Sequence, residues 1–282
     1  HEVRYFFGQG FVTPLPLPII RRKGYWGRIE HSLKYFRNSV REIGYQVNNR
    51  ALKPTFVIGS GHQGRIQAMA KVPRMGDYVS LPALHILWER MDSVLENDFI
   101  LYVDEVAYFS PDAALLSGQK TGMVKSPAIF HRKLNRLFDE CEQALGIAVV
   151  IGSAGKWIYN TNPFGQRQIV YGKTSQLTQH ATLILGHAST ALHQAIIERK
   201  PVINIMDEEF LALKNEKISE FAAIYFGQHA QWTTAIDVAD ISQAQRQVDV
   251  ATLKQIENAY FREEAVSGSF SSNLNQYLSS LP

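Results

Sequence analysis

Small hydroxyl side chains stand in a turn between two apolar segments of the chain. The sequence ATLILGHASTALHQA predicts a strand over Ala181–Leu185, a tight turn over Gly186–Thr190 and a helix that begins near Ala191. Ser189 and Thr190 are residue types that cap helix N-termini, where free backbone N–H groups and the helix dipole attract anions. The turn therefore predicts a phosphate site, with a nucleotide or a phosphorylated sugar as ligand. The alternative is an ordinary strand–helix connection in which the two hydroxyls only cap the helix.

Two carboxylates directly follow another apolar segment. Phe99–Val103 is typical of a buried parallel strand, and Asp104 and Glu105 come next. Open parallel sheets bind ligands outside the carboxyl ends of their strands, so we expect one of these carboxylates to act there as a base, nucleophile or metal ligand. The alternative is a helix cap or a structural salt bridge. Asp112 is a weaker candidate because it follows Ser-Pro and suits a turn cap.

A glycine-rich loop, GSGHQG, follows the strand predicted from Thr55. It resembles a dinucleotide-binding turn, but a single turn of this kind also arises where glycines only permit tight turning. Its histidine either touches a ligand or is an exposed loop residue. We take four residues of this loop as candidates for the acceptor side of a cleft: Gly59, Ser60, Gly61 and His62.

Composition restricts the class of protein. With 282 residues, 45% hydrophobic and 20% charged, the chain suits one large α/β domain or two smaller ones. It contains no apolar run long enough to span a membrane and no HExxH, CxxC, DxD, EF-hand or GxSxG spacing, so we expect neither a metal site nor a GxSxG-type serine hydrolase. The single cysteine, Cys141, fits a reducing cytoplasm. A first residue other than methionine, His1, suggests a module of something longer.

Basic and aromatic residues alternate near the N-terminus. This cluster predicts peripheral contact with an anionic membrane or acceptor, and the alternative is a solvated basic helix face. No nucleic-acid-binding signature accompanies it. Its members are Arg21, Arg22, Lys23, Tyr25, Trp26, Arg28, Lys34, Tyr35 and Arg37.

Strands alternate with helices along the whole chain, which predicts an α/β fold with parallel sheets. Turn residues between Ser110 and Pro127 place a boundary there, with an N-terminal Rossmann-like domain over 1–115 and a C-terminal one over 116–282. The periodicity predicts helices over 84–94, 127–145, 174–180, 191–198 and 250–264, and a strand over 222–226. We expect the last helix to pack back across the domains.

Three segments together resemble a known family. They read ILYVDEVAYFSPD, KLNRLFDECEQALGIAVVI and YGKTSQLTQHATLILGHASTALHQAIIERKPVINI. Residues 97–206 are similar to GT-B-like glycosyltransferases of bacterial surface-polysaccharide biosynthesis, closest to the retaining β-Kdo transferases that serve capsule, O-antigen or lipopolysaccharide. The most specific part is GKT…L…HAST…KP. The resemblance implies two Rossmann-like domains that face a cleft. It also implies a cytoplasmic enzyme, for which peripheral contact with the inner membrane stays open.

The resemblance also implies a reaction and a set of roles. The co-substrate would be a nucleotide sugar, CMP-Kdo in this branch, with no permanently bound cofactor, and the acceptor a glycan or glycolipid. Retention would proceed through a carboxylate adduct on Asp104, with Glu105 as the second choice. The nucleotide would lie near Lys156, Lys173, Thr174, His187, Ser189 and Thr190.

One position departs from this pattern. Where the relatives carry a His-Pro pair after the IAVVI-type strand, this chain has Ala154-Gly155 and then Lys156. Lysine supplies positive charge but does not shuttle a proton as histidine does. Two alternatives to transfer therefore stay open: a non-catalytic transferase-like binding module and a sugar-nucleotide epimerase.

Overall fold

Two compact units divide the chain. The computed structural model describes residues 56–71, 77–83, 86–106, 123–155, 158–237, 241, 249–263, 268 and 270–280. The first unit takes residues 1–83 and 258–282, and the second takes 84–257. Asp112, Lys156 and the basic N-terminal cluster lie outside the described residues, so their roles stay predictions.

The first unit contains a pair of parallel strands, β1 (Phe56–Gly59) and β2 (Asp77–Ser80). Helix α1 (Gly61–Lys71) begins two residues after β1, so the glycine-rich loop is a strand–helix connection. Gly61 has a φ of +62°, and a Cβ atom there would lie 2.6 Å from the carbonyl oxygen of Ala259. A side chain at this position would therefore be both strained and obstructed.

The second unit is built on a six-stranded sheet. Its strands are β3 (Phe99–Asp104), β4 (Ala148–Ser153), β5 (Ile169–Tyr171), β6 (Leu183–Gly186), β7 (Val202–Met206) and β8 (Gln231–Trp232). All neighbours are parallel, in the order β5-β4-β3-β6-β7-β8. The predicted α/β fold with a parallel sheet is confirmed.

Helices connect these strands. They are α2 (Pro127–Leu145), α3 (Thr174–His180), α4 (His193–Ile197) after a 3-10 turn at Thr190–Leu192, α5 (Ala212–Phe226) and α6 (Val250–Ile256), which runs into a π-helical turn at Glu257–Phe261. Helix α7 (Phe270–Ser280) belongs to the first unit. None of the helices in the described ranges is long and apolar enough to cross a membrane.

Alternate side chains of β3 enter two different cores, one on each face of the sheet. Ile100 and Tyr102 join a cluster that includes Leu134 and Phe138 of α2. Leu101 belongs to a second cluster, which includes residues of α3 and α4. Because successive side chains of a strand point to opposite faces, a continuous apolar segment is what a sheet covered on both faces requires.

The predicted helix over 84–94 is wrong, because the described residues of this segment form bends and irregular backbone. Side-chain amides hold its backbone instead. Gln194 accepts a hydrogen bond from the N–H of Leu87 and donates to its carbonyl, at 2.8 and 3.0 Å. Gln179 likewise accepts from the N–H of Met91 at 2.9 Å. These bonds satisfy backbone groups that a helix would have paired internally.

The predicted strand over 222–226 is also wrong, because these residues form the end of α5. Aromatic residues favour strands by propensity, but here Phe221 and Tyr225 are spaced to meet the same neighbour from a helix. Their rings lie 5.4 and 4.6 Å from that of His193, centroid to centroid. Gly227, with a φ of +63°, ends the helix.

The division into units differs from the predicted boundary between 115 and 116. Strand β3 pairs with β4 on one side and β6 on the other, so it lies inside the sheet of the second unit. The change of unit comes before β3, between residues 83 and 84. The cleft between two Rossmann-like domains and the crossing C-terminal helix stay predictions.

Candidate functional site

Three neighbouring strands of the second sheet end in polar side chains. Glu105 follows β3, His187 follows β6 and Asp207 follows β7, so all three stand at the carboxyl edge of the sheet. The strand order reverses between β3 and β6, and doubly wound sheets bind their ligands at this point. We refer to the edge of the sheet between the ends of β3 and β6 as the switch point.

Asp104 ends β3 with its side chain buried. One carboxylate oxygen accepts hydrogen bonds from the hydroxyls of Tyr159 and Ser153, at 2.6 and 2.9 Å. The other accepts the N–H of Val106 at 2.9 Å. Burial raises the pKa of Asp104, and these hydrogen bonds oppose that rise. A carboxylate held on both oxygens organises its surroundings, so this geometry does not favour Asp104 as the predicted nucleophile.

Glu105 reaches from the end of β3 to the turn that follows β6. One oxygen accepts the N–H of Ala188 at 2.7 Å, and the other forms an ion pair with Lys214 of α5. Burial by itself raises the pKa of Glu105, but attraction to Lys214 and the hydrogen bond from Ala188 help to lower it below its ordinary value. Glu105 is thus an ionised carboxylate between an ammonium group and a backbone N–H, two donors that also suit phosphate.

The resemblance implies that His187 contacts a donor phosphate, and its geometry in the structure does not favour that role. The side chain is buried, with Nδ1 2.7 Å from the carbonyl oxygen of Ile205 and Nε2 2.8 Å from the hydroxyl of Tyr102. Because a carbonyl only accepts, Nδ1 carries the proton and Nε2 accepts from Tyr102. Burial lowers the pKa of His187 to about 4. A neutral imidazole with both nitrogens engaged positions the turn and has no nitrogen left for a phosphate.

The turn after β6 caps the short helical segment that follows it. The hydroxyl of Ser189 accepts the N–H of Ala191 at 3.3 Å, and its carbonyl accepts the N–H of Leu192 at 3.0 Å. Thr190 is exposed. The capping role is therefore confirmed for Ser189, while a contact of either hydroxyl with phosphate stays a prediction.

The remaining predicted site residues are placed elsewhere. Lys173 is exposed before α3, and Thr174 is the first residue of that helix. Both follow β5, which β4 and β3 separate from β6 in the sheet. Gly59–His62 belong to the first unit. Strand order thus does not bring Lys173 and Thr174 to the switch point.

Two residues of the site were missed from the sequence. Asp207 follows the apolar segment VINIM just as Asp104 follows FILYV, so its signal was present. It is fully buried; Oδ1 accepts the N–H of Glu209 at 2.8 Å, and Oδ2 has no partner in the part of the chain that the structure describes. Lys214 gave no signal, because a lysine is normally solvated.

Comparison with known proteins gives a distant likeness only. No protein-family model matches the chain, and no curated protein matches it. Among solved structures, it is similar to the spinosyn forosaminyltransferase SpnP, at 13% identity and a TM-score of 0.39 over 80% of this chain and 54% of that one. It is also similar to the glycosyltransferase SnogD from Streptomyces nogalater (12%, 0.36, 78% and 58%) and to the glycotransferase of kitacinnamycin (11%, 0.38, 74% and 50%). The chain spans about half the length of these glycosyltransferases, and at such TM-scores the likeness says nothing about its own activity.

Proposed function

We propose that this chain is a glycosyltransferase that moves a sugar from a nucleotide donor to an acceptor. The observation that carries the proposal is the arrangement at the switch point, where Lys214 and the N–H of Ala188 hold a carboxylate at the edge of a doubly wound sheet. Sheets of this order bind nucleotides there, and the same two donors suit a phosphate group. The sequence resemblance of residues 97–206 adds sugar transfer to nucleotide binding.

In this proposal the donor phosphate takes the place of the Glu105 carboxylate. Phosphate oxygens accept the N–H of Ala188 and pair with Lys214, and the hydroxyls of Ser189 and Thr190 serve the remaining oxygens. Glu105 then loses both of its present partners. Glu105 is then a free carboxylate next to the phosphate that has taken its place.

We assign the nucleophile to Glu105 because its partners, Lys214 and the N–H of Ala188, are donors that a phosphate can take over. The partners of Asp104 are two hydroxyls and a nearby N–H that stay in place, so Asp104 organises the end of β3. An oxygen of Glu105 attacks the anomeric carbon while the bond from that carbon to the phosphate oxygen breaks, and the nucleotide leaves with the electron pair. An acceptor hydroxyl then attacks the same carbon, loses its proton to solvent and restores the carboxylate. Two displacements retain the configuration of the sugar.

The donor and acceptor follow from the sequence resemblance. We favour CMP-Kdo as donor and a bacterial surface-glycan or glycolipid intermediate as acceptor. The carboxylate nucleophile is compatible with that donor, since the step needs only an anomeric carbon joined to a phosphate.

A donor panel tests this function. The protein is incubated with CMP-Kdo, UDP-glucose, GDP-mannose and ADP-heptose, and free nucleotide and intact protein mass are measured. We expect one donor to be consumed and its sugar to appear as a covalent adduct. Glu105→Gln should abolish both signals, because an amide is not a nucleophile, whereas Glu96→Gln, at an exposed carboxylate, should retain them. Consumption of no donor, or an unchanged rate in Glu105→Gln, would contradict the proposal.

A second candidate function is that of a non-catalytic binding module. The specific observation in its favour is that Glu105 already satisfies Lys214 and the N–H of Ala188 without any ligand. The absence of the His-Pro pair at Ala154-Gly155 points the same way. Such a module would bind no nucleotide, which separates it from a transferase.

A further inference from the structure

An open groove of about 510 Å³ lies at the carboxyl ends of β7 and β8. It begins one strand away from the switch point, because β7 is the neighbour of β6. Its volume is in the range of sites that hold small molecules. The residues that decide its chemistry are Lys125, Met206, Glu208, Glu216, Ser219 and Trp232.

The apolar side of the groove is an exposed aromatic ring. Trp232 ends β8, pairs in register with Met206 of β7 and is 41% exposed. The buried ring of Phe210 also lines the groove. Because Trp232 ends a strand of the sheet, its backbone is fixed, and the indole offers a flat apolar surface with one N–H donor.

Helix α5 contributes polar residues to the lining of the groove, and one of them is held in place. Asn215 uses its amide oxygen and nitrogen on the backbone N–H and carbonyl of Asp207, at 3.2 and 2.8 Å, and so joins α5 to the end of β7. Glu216 and Ser219 lie one turn apart on the same helix and also line the groove. Within the described ranges, neither side chain forms a hydrogen bond or an ion pair. Helix α5 therefore presents a carboxylate, on Glu216, and a hydroxyl, on Ser219, that are available to a ligand.

The charges of the groove disfavour an anionic ligand. Its cation, Lys125, donates to the backbone carbonyl of Glu208 at 2.7 Å. The carboxylate of Glu208 is paired with Lys133 at 2.6 Å, and hydrogen bonding to Lys133 lowers the pKa of Glu208, so it stays ionised. A phosphate here would meet one cation, Lys125, and two carboxylates, Glu208 and Glu216. A neutral ligand rich in hydroxyl groups would meet acceptors for its protons.

We propose that this groove binds a neutral pyranose ring of a glycan. The apolar C–H face of the ring packs on the indole of Trp232, and hydroxyls on the other side donate to Glu216 and exchange hydrogen bonds with Ser219. Sugar binding by itself does not require the transfer reaction. The role of this sugar as acceptor rests on the proposed function.

Indole N–H signals in nitrogen-15 NMR spectra test this site directly. The chain has four tryptophans, and Trp232→Phe identifies the signal of Trp232 by its loss. The probes are the methyl α-glycosides of glucose, galactose and mannose, and N-acetylglucosamine, each at millimolar concentration without donor, with uridine and cytidine as the competing class. We expect one of the sugars to shift the Trp232 signal until the site is saturated. Glu216→Gln should weaken the affinity for that sugar about tenfold, the equivalent of one charged hydrogen bond. Glu220→Gln, on the same helix and outside the groove lining, should bind as the wild type does.

Three outcomes would overturn the proposal: a shift with nucleosides alone, no shift with any probe, or equal affinity in Glu216→Gln. The outcome is independent of the transferase assay. Sugar binding in a protein that consumes no donor would support the groove and contradict the proposed function. Donor consumption without sugar binding would support the proposed function and contradict the groove as a sugar site.

Discussion

Replacing Lys214 by methionine is expected to lower the free energy of unfolding by about 4 kcal/mol. Lys214 is 9% exposed, and its ammonium group pairs with Glu105. Removal of Lys214 leaves the charge of Glu105, whose side chain is only 16% exposed, without its partner. Breaking such a pair costs about 3–5 kcal/mol where it is buried. Methionine keeps most of the apolar length of the side chain, so the loss of stability measures the effect of removing the positive charge. Urea denaturation at neutral pH measures it.

Two further variants separate this pair from general effects on α5. Lys217→Met removes an exposed lysine from the same helix and should change stability by no more than about 0.5 kcal/mol. The double variant Lys214→Met with Glu105→Gln strands no charge and should recover at least about 2 kcal/mol. A loss below about 1 kcal/mol in Lys214→Met would contradict a buried ion pair.

Stability should fall by about 2.5 kcal/mol between pH 7 and pH 4.5 through His187 alone. Burial lowers its pKa from 6.5 to about 4. Between pH 6.5 and pH 4 the imidazole of His187 is protonated in the unfolded chain but stays neutral in the folded protein. The stabilisation is therefore complete above pH 6.5 and is lost as pH falls towards 4. Urea denaturation at several pH values gives the slope.

Comparison of variants isolates the contribution of His187 from those of nearby carboxylates. The neighbours that act on its charge are Glu105, Lys214 and Asp207. His187→Gln should lose most of this dependence on pH, because no imidazole remains to be protonated. His62→Gln, at an exposed histidine, should keep the wild-type slope. An unchanged slope in His187→Gln would show that another group carries the effect.

Elements whose ends are marked by local chemistry could be predicted from the sequence. Helix α2 begins at Pro127, which lacks the N–H that a first turn leaves unpaired, and it ends before Gly146, whose φ is +67°. Its bounds match the prediction. The segment over 84–94 could not be predicted in this way, since glutamines 88 and 107 residues later hold its backbone.

The same distinction between local signals and long-range contacts applies to the candidate site. Asp104 and Glu105 were found because they follow an apolar strand, and strand ends gather at one edge of a parallel sheet. Their different roles could not be read from the sequence. Tyr159 and Ser153 occupy one carboxylate, and Lys214, 109 residues later, occupies the other. Only the packing of α5 against the end of the sheet brings that lysine to Glu105.

The most direct test of the account is calorimetric titration of CMP, CDP, UDP, GDP and ADP into the wild type and into Glu105→Gln. The account predicts that one of these nucleotides binds the wild type. It should bind Glu105→Gln about tenfold more tightly, because the amide competes less well than the carboxylate for Lys214 and the N–H of Ala188. Binding of no nucleotide to either protein, or no gain in Glu105→Gln, would contradict a donor phosphate at the switch point.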